Sequence, residues 1–221
     1  MTLDAPRLTA ADLHDVPGTA PVTHSETAFT GAVWDVRRDR VRLGEDEVVR
    51  EYVAHTGAVA VLAVREDRGE PEVFLVRQYR HPVGAQDWEI PAGLLDVEGE
   101  DPVLAAQREL AEEADLRAGS WERLTAFTPS PGGLDEVITV YLATDLTDVP
   151  AEERFDREAE EAGMSCGWVA LSEAVAAVLG GKVRNAPMML SVLAYAARLR
   201  GADPEELGAR GEALGPPAGS P

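Results

Sequence analysis

The sequence predicts an α/β protein, an α/β/α sandwich with a mixed sheet preceded by a small antiparallel N-terminal strand unit. Three observations carry that expectation. Two apolar runs of strand length, residues 58–64 and 73–79, lie close together and read as buried strands. A helical pattern with start signals follows, with Asp101 as the capping residue and Pro102 at the first helical position. Strand-like and helical segments then mix rather than segregate. Hydrophobic residues make up 45% of the 221 and charged residues 27%, a balance that suits one sizeable core.

Residues 1–22 mix Pro, Asp, Thr and Ala without periodicity and read as a flexible tail. A first strand is expected over residues 27–35, a turn over 35–40 into Val41, Arg42 and Leu43, and a third strand over 47–55. Such a unit of roughly 30 residues buries little core alone and must pack on the main domain or on a second chain. The expected organisation is a tail over 1–22, a strand module over 23–55, a main domain over 56–200 and a disordered tail over 201–221.

In the helix that opens at Pro102, Val103, Ala106, Leu110 and Ala114 recur at helical spacing and form an apolar face. Glu109, Glu112 and Glu113 fall off that stripe, so they are expected to face solvent or a cleft. Strands are expected over 121–127 and 137–144, joined by a loop containing Ser130, Pro131, Gly132 and Gly133 that can bring backbone close to a ligand. An acidic stretch, 152–161, precedes a strand around Trp168. Ser172 is expected to cap a helix ending at Gly180, and Asn185 to open a last helix stopped by Gly201.

Forty acidic against twenty basic residues give a net charge of −20, which excludes a general nucleic-acid or anionic-membrane surface. Cys166 is the single cysteine, so neither an intrachain disulfide nor a thiolate cluster can form; it reads as a small core residue. No apolar run reaches membrane-spanning length, and the placement expected is the cytoplasm. Glycine-rich phosphate loops of the Rossmann and P-loop kinds are absent. The distinctive feature is the acidic cluster. Glu109, Glu112 and Glu113 stand at i, i+3 and i+4, where like charges repel unless a cation lies between them. It reads either as a metal platform or as a solvated acidic face.

The residues around the cluster decide between these. Gly93, Glu100, Arg108, Glu109, Leu110, Glu112, Glu113 and Leu116 resemble the Nudix box. Two departures stand out: the loop from Gly93 to Glu100 is one residue longer, and Asp115 replaces a glycine that caps the helix. Asp tolerates the left-handed backbone wanted there better than most residues. Arg77 to Arg80, Trp88 to Gly93 and the Ser130-Pro131-Gly132 loop are similar to the ADP-ribose pyrophosphatase branch.

The resemblance implies a Nudix-type fold that splits ADP-ribose, with water and Mg²⁺ (Mn²⁺ as a substitute), into AMP and ribose 5-phosphate. Rivals are hydrolysis of another nucleoside diphosphate sugar and a non-catalytic nucleotide-binding module. It implies Glu109 and Glu113 as metal ligands, Glu112 assisting, and the Ala92 carbonyl completing the sphere. Arg108 orients the cluster. The general base is expected on the acidic loop, at Glu160 or Glu161, with Glu158 third. Arg80 is the choice to pair with phosphate, because a guanidinium fork matches phosphate oxygens. Arg50 and Glu51 resemble a nucleotide-contacting strand pair, and Trp34 either stacks an adenine or simply packs. The N-terminal unit implies a domain-swapped homodimer.

Overall fold

The computed structural model describes residues 3–155 and 164–201. Two sheets organise it. The first is antiparallel, in the order β1 (Val22–Thr30), β2 (Asp35–Leu43), β3 (Asp46–Ala54). The expected turn over 35–40 is instead the first half of β2, and the chain reverses at 31–34. Gly31 permits that reversal: a Cβ there would collide with the Trp34 carbonyl. Before β1, residues 3–21 carry one short 3₁₀ turn, Ala10–Asp12, and are nearly all exposed.

The second sheet is built on β4 (Ala58–Arg65), buried from Ala58 through Val64. It pairs antiparallel with β5 (Glu72–Arg80) and parallel with β9 (Ile138–Asp148). The order is β10 (Ser165–Ala170), β5, β4, β9, β8 (Leu116–Phe127), with β6 (Ala85–Glu89) on β5 and β7 (Ala92–Leu94) on β4. One parallel pair among antiparallel ones makes the sheet mixed. Strands β6 and β7 were not foreseen: β6 alternates polar residues and β7 has three residues, too few to carry a pattern. Strands β8 and β9 extend several residues beyond the spans expected for them.

Side chains alternate across a strand, so β4 feeds two cores at once. Ala58, Ala60, Leu62 and Val64 face one side, with Met188, Val192 and Tyr195 of α3 (Ala186–Leu199) and Ala174 and Val178 of α2 (Leu171–Leu179). Val59, Val61 and Ala63 face the other, with Ala105, Ala106, Leu110 and Ala114 of α1 (Pro102–Ala114). The result is the expected α/β/α sandwich. Tyr195 donates its hydroxyl to Glu66 at 2.8 Å, tying α3 to the end of the central strand β4. Burial first, then this bond to a carboxylate, push the phenol up to about 12.

Three local expectations need correction or refinement. Ser172 lies inside α2, whose cap position is Ala170, and its hydroxyl donates to Glu70 instead. Cys166 is exposed on β10 rather than in the core. Asn185 caps α3 as expected, but the fully buried face is Met188, Ser191, Val192 and Tyr195, with Met189, Leu193 and Ala196 only partly buried beside it. Among the described residues no helix is long and apolar enough to cross a membrane.

Candidate active site

Local signals place α1. The Asp101 side chain accepts the Val103 N–H at 3.0 Å, and Pro102 opens the helix where no N–H is needed. Asp115 ends it at φ 53° and ψ 34°, left-handed, with its N–H bonded to the Leu110 carbonyl. The residue standing where the Nudix box has glycine thus adopts the conformation that glycine would supply.

The acidic face does not look out to solvent. Glu109 and Glu113 are each 9% exposed, because they flank the buried Ala106 and Leu110 stripe and reach down onto β7. Glu113 Oε2 accepts the Ala92 N–H at 3.0 Å. The Glu109 carboxylate lies against Gly93, so close that a Cβ on Gly93 would overlap it. Arg108 spans the cluster: Nη1 donates to Glu109 at 2.6 Å and to Glu112 at 3.2 Å, and Nη2 reaches Glu100 at 3.4 Å. Burial opposes the guanidinium charge, but Glu100, Glu109 and Glu112 together outweigh it and raise the Arg108 pKa. Arg108 therefore supplies a cation against two of the three stacked glutamates, Glu109 and Glu112.

The donor set fits a hard divalent ion in chemistry: carboxylate oxygens, two of them buried, over a strand stripped of side chain at Gly93. Among the described residues no group of three or more His, Cys, Asp or Glu side chains is arranged to hold a metal ion, and Arg108 occupies the centre of the charge. The observed contact of Ala92 with the cluster runs through its N–H.

The other residues singled out from sequence are spread over both sheets and the turn at 130–134. Arg80, at the end of β5, donates from Nε and Nη2 to Glu89 of β6 at 2.9 and 2.8 Å, a bidentate pair. Glu89 is 3% exposed, so a buried carboxylate fixes the direction of this arginine. Trp34 is half-buried and stacks on His55 at 4.1 Å between ring centres and 23° between planes. Pro131 and Gly132 are exposed at a turn closed by the Gly133 and Leu134 N–H groups on the Ser130 carbonyl. On β3, Arg50 is exposed and donates to its neighbour's carbonyl, while Glu51 accepts from Arg38 at 2.6 Å. The observed partners of Arg50 and Glu51 thus lie within the N-terminal sheet. Glu158, Glu160 and Glu161 lie outside the described residues.

Three groups escaped the sequence reading. Glu89 lies in the Trp88 to Gly93 segment, and its one signal is a charge between Trp88 and Ile90. His55 and Glu136 carried no local signal; they meet only through the fold, with His55 Nε2 at 3.6 Å from Glu136 Oε1. Burial raises the Glu136 pKa and the nearby imidazole partly offsets it.

A mixed-sheet sandwich with a buried acidic helix face over a glycine strand defines a class of hydrolase. The NUDIX domain pattern matches residues 54–191, and the chain belongs to the Nudix family. The chain is 46% identical over 171 residues to an ADP-ribose pyrophosphatase of Mycobacterium tuberculosis, covering 77% of this chain and 80% of that one. A second ADP-ribose pyrophosphatase, of Bacillus subtilis, is 40% identical over 134 residues, 60% of this chain and 70% of that protein. A GDP-mannose pyrophosphatase of Cronobacter sakazakii is 32% identical over 157 residues, 66% of this chain and 78% of that protein. Among solved structures, an ADP compounds hydrolase superposes with a TM-score of 0.70 at 19% identity, covering 85% of this chain and 98% of that one. That last likeness concerns the fold.

Proposed function

We propose that the protein hydrolyses the pyrophosphate bond of ADP-ribose, one water adding across it to give AMP and ribose 5-phosphate. The carrying observation is the buried carboxylate face of α1 over Gly93, in a chain 46% identical to a relative of that name. Glu109 and Glu113, with Glu112 and the Ala92 carbonyl, would hold Mg²⁺, or Mn²⁺ in its place. A bound ion of this kind supplies charge neutralisation on the phosphates and a more acidic water. Arg108 orients Glu109 and Glu112 before the ion arrives. Arg80, aimed by Glu89, binds a phosphate oxygen. Trp34 offers a ring to the base, and the Pro131–Gly132 turn offers backbone close to the substrate. Glu160 or Glu161, with Glu158 third, accepts the proton of the attacking water. Arg50 and Glu51 contact the nucleotide from a neighbouring chain in a homodimer built through the 23–55 module, beside a hydrolase domain over 56–200, in the cytoplasm.

Turnover of a panel of nucleoside diphosphate sugars with added Mg²⁺ tests the reading. ADP-ribose is expected to have the highest kcat/KM, and the ion alone to restore activity after chelation. Faster turnover of another sugar nucleotide moves the assignment to that substrate, the second reading that the GDP-mannose pyrophosphatase relative favours. Absence of turnover across the panel, with nucleotide still bound, leaves a binding module.

A further inference from the structure

Residues 55–57 form the short link between the two sheets, and His55 is its hub. Its side chain is 7% exposed. One ring face stacks on Trp34, just past the first turn of the N-terminal sheet. Nδ1 accepts the Gly57 N–H at 3.0 Å, so in the neutral ring the proton sits on Nε2, the nitrogen facing Glu136. The His55 backbone N–H donates to Asp135 Oδ1 at 2.7 Å, across 80 residues of chain. On either side of these contacts, Val53 N–H bonds to the Gly133 carbonyl at 2.9 Å and Ala58 N–H to the Val137 carbonyl at 3.1 Å. Residues 133–137 are therefore laced to 53–58 along their whole length, and the Pro131 turn grows directly out of that lacing.

We propose that His55 is a positioning residue: its ring face fixes Trp34, while its ring edge and backbone fix the segment carrying Pro131 and Gly132. Two elements from different sheets are thereby mounted on one joint. The proposal rests on the reading above that both face the nucleotide sugar. The partners of His55 are Trp34, Gly57, Asp135 and Glu136, none of them on the acidic helix, so on that reading it acts on binding rather than on chemistry.

Two variants and one exchange measurement test it. His55→Phe keeps a stacking ring but loses the Gly57 and Glu136 contacts; His55→Asn keeps an acceptor for Gly57 and loses the stack. Each is expected to raise KM for ADP-ribose about tenfold with kcat within about twofold, a loss of binding alone. Hydrogen exchange is expected to speed up mainly in 130–137 in His55→Phe, which keeps the stack, and to extend to 31–36 in His55→Asn, which loses it, with β4 unchanged in both. Unaltered KM in a folded variant, or a fall in kcat at constant KM, overturns the proposal. Exchange in the unaltered protein decides even if neither variant folds: His55 and Gly57 amides as fast as the 3–21 segment would mean that no joint exists. If the unaltered protein turns over no sugar nucleotide while that joint is protected, the functional reading fails and the joint stands.

Discussion

The two sheets of this molecule are stabilised by different physics. In the larger one, β4 is buried through seven consecutive residues and shares its two faces between two apolar cores. In the smaller one, β1 is exposed at every position, and the strands are laced by Arg38 to Glu26 and Glu51 and by Arg40 to Glu47. Its one buried charged residue, Asp39, accepts hydroxyls from Ser25 and Tyr52. Burial is indifferent to pH and salt, whereas exposed ion pairs are sensitive to both and individually weak. The proposed chemistry sits on the larger sheet and half of the proposed substrate contacts on the smaller. On that proposal the buried scaffold would carry the reaction and the polar sheet part of the recognition.

That contrast can be broken most sharply at α1. Glu113→Gln is expected to lower kcat roughly 100-fold or more while circular dichroism stays native, since the amide can keep the Ala92 contact. Near-normal turnover would remove the metal assignment. Gly93→Ala comes next, because the added methyl must displace the Glu109 carboxylate; a tenfold or larger loss of Mg²⁺ affinity, of the order seen when support of a ligand is lost, is expected by titration calorimetry. For stability, Leu62→Ala should lose about 2–5 kcal/mol in urea unfolding. Val49→Ala on exposed β3 should stay within about 0.5 kcal/mol. Equal losses would erase the distinction between the sheets.

The smallest effects are those of pH, and they run in opposite directions. Tyr195 is raised in the fold from 10.0 to about 12. Its contribution is complete below pH 10 and is lost as pH climbs toward 12, where the unfolded phenol ionises first. Glu26 is lowered, chiefly by its bond to Arg38, so its contribution is present above the ordinary carboxylate value and fades as pH falls below it. Protection from exchange in β1–β3, corrected for the intrinsic pH dependence of amide exchange, should therefore fall in acid before that of β4, and α3 should loosen first in alkali. Simultaneous loosening at either extreme would mean the sheets unfold as one unit.

Legibility in the sequence followed the range of the interactions. Helix α1 could be read almost to the residue because Asp101, Pro102 and Asp115 act within one turn of where they stand. The runs that became β4 and β5 were legible because continuous burial leaves a continuous apolar pattern. Between the two directions left open for the acidic face, solvent or a cleft, periodicity could not choose: it reports which side chains avoid water, and buried glutamates held by Arg108 and a backbone N–H do not obey it. The turn placed at 35–40 failed for a related reason. Its charges are cross-strand ion pairs on β2, not turn residues. Glu89 and His55 were silent because their partners are distant in sequence, and no local rule links residue 55 to residues 135 and 136.

The parallel pairing of β4 with β9 has a consequence for assembly. Its register joins Ala58 to Ile138, so the chain between them must be gathered before the central pair can form. Loop closure of that length is slow relative to hairpins and helices, and high contact order retards the rate-limiting step. Strand β7 hangs on β4, and α1 rests on both. The sheet beneath the acidic helix is therefore expected to be complete only once β9 has joined β4.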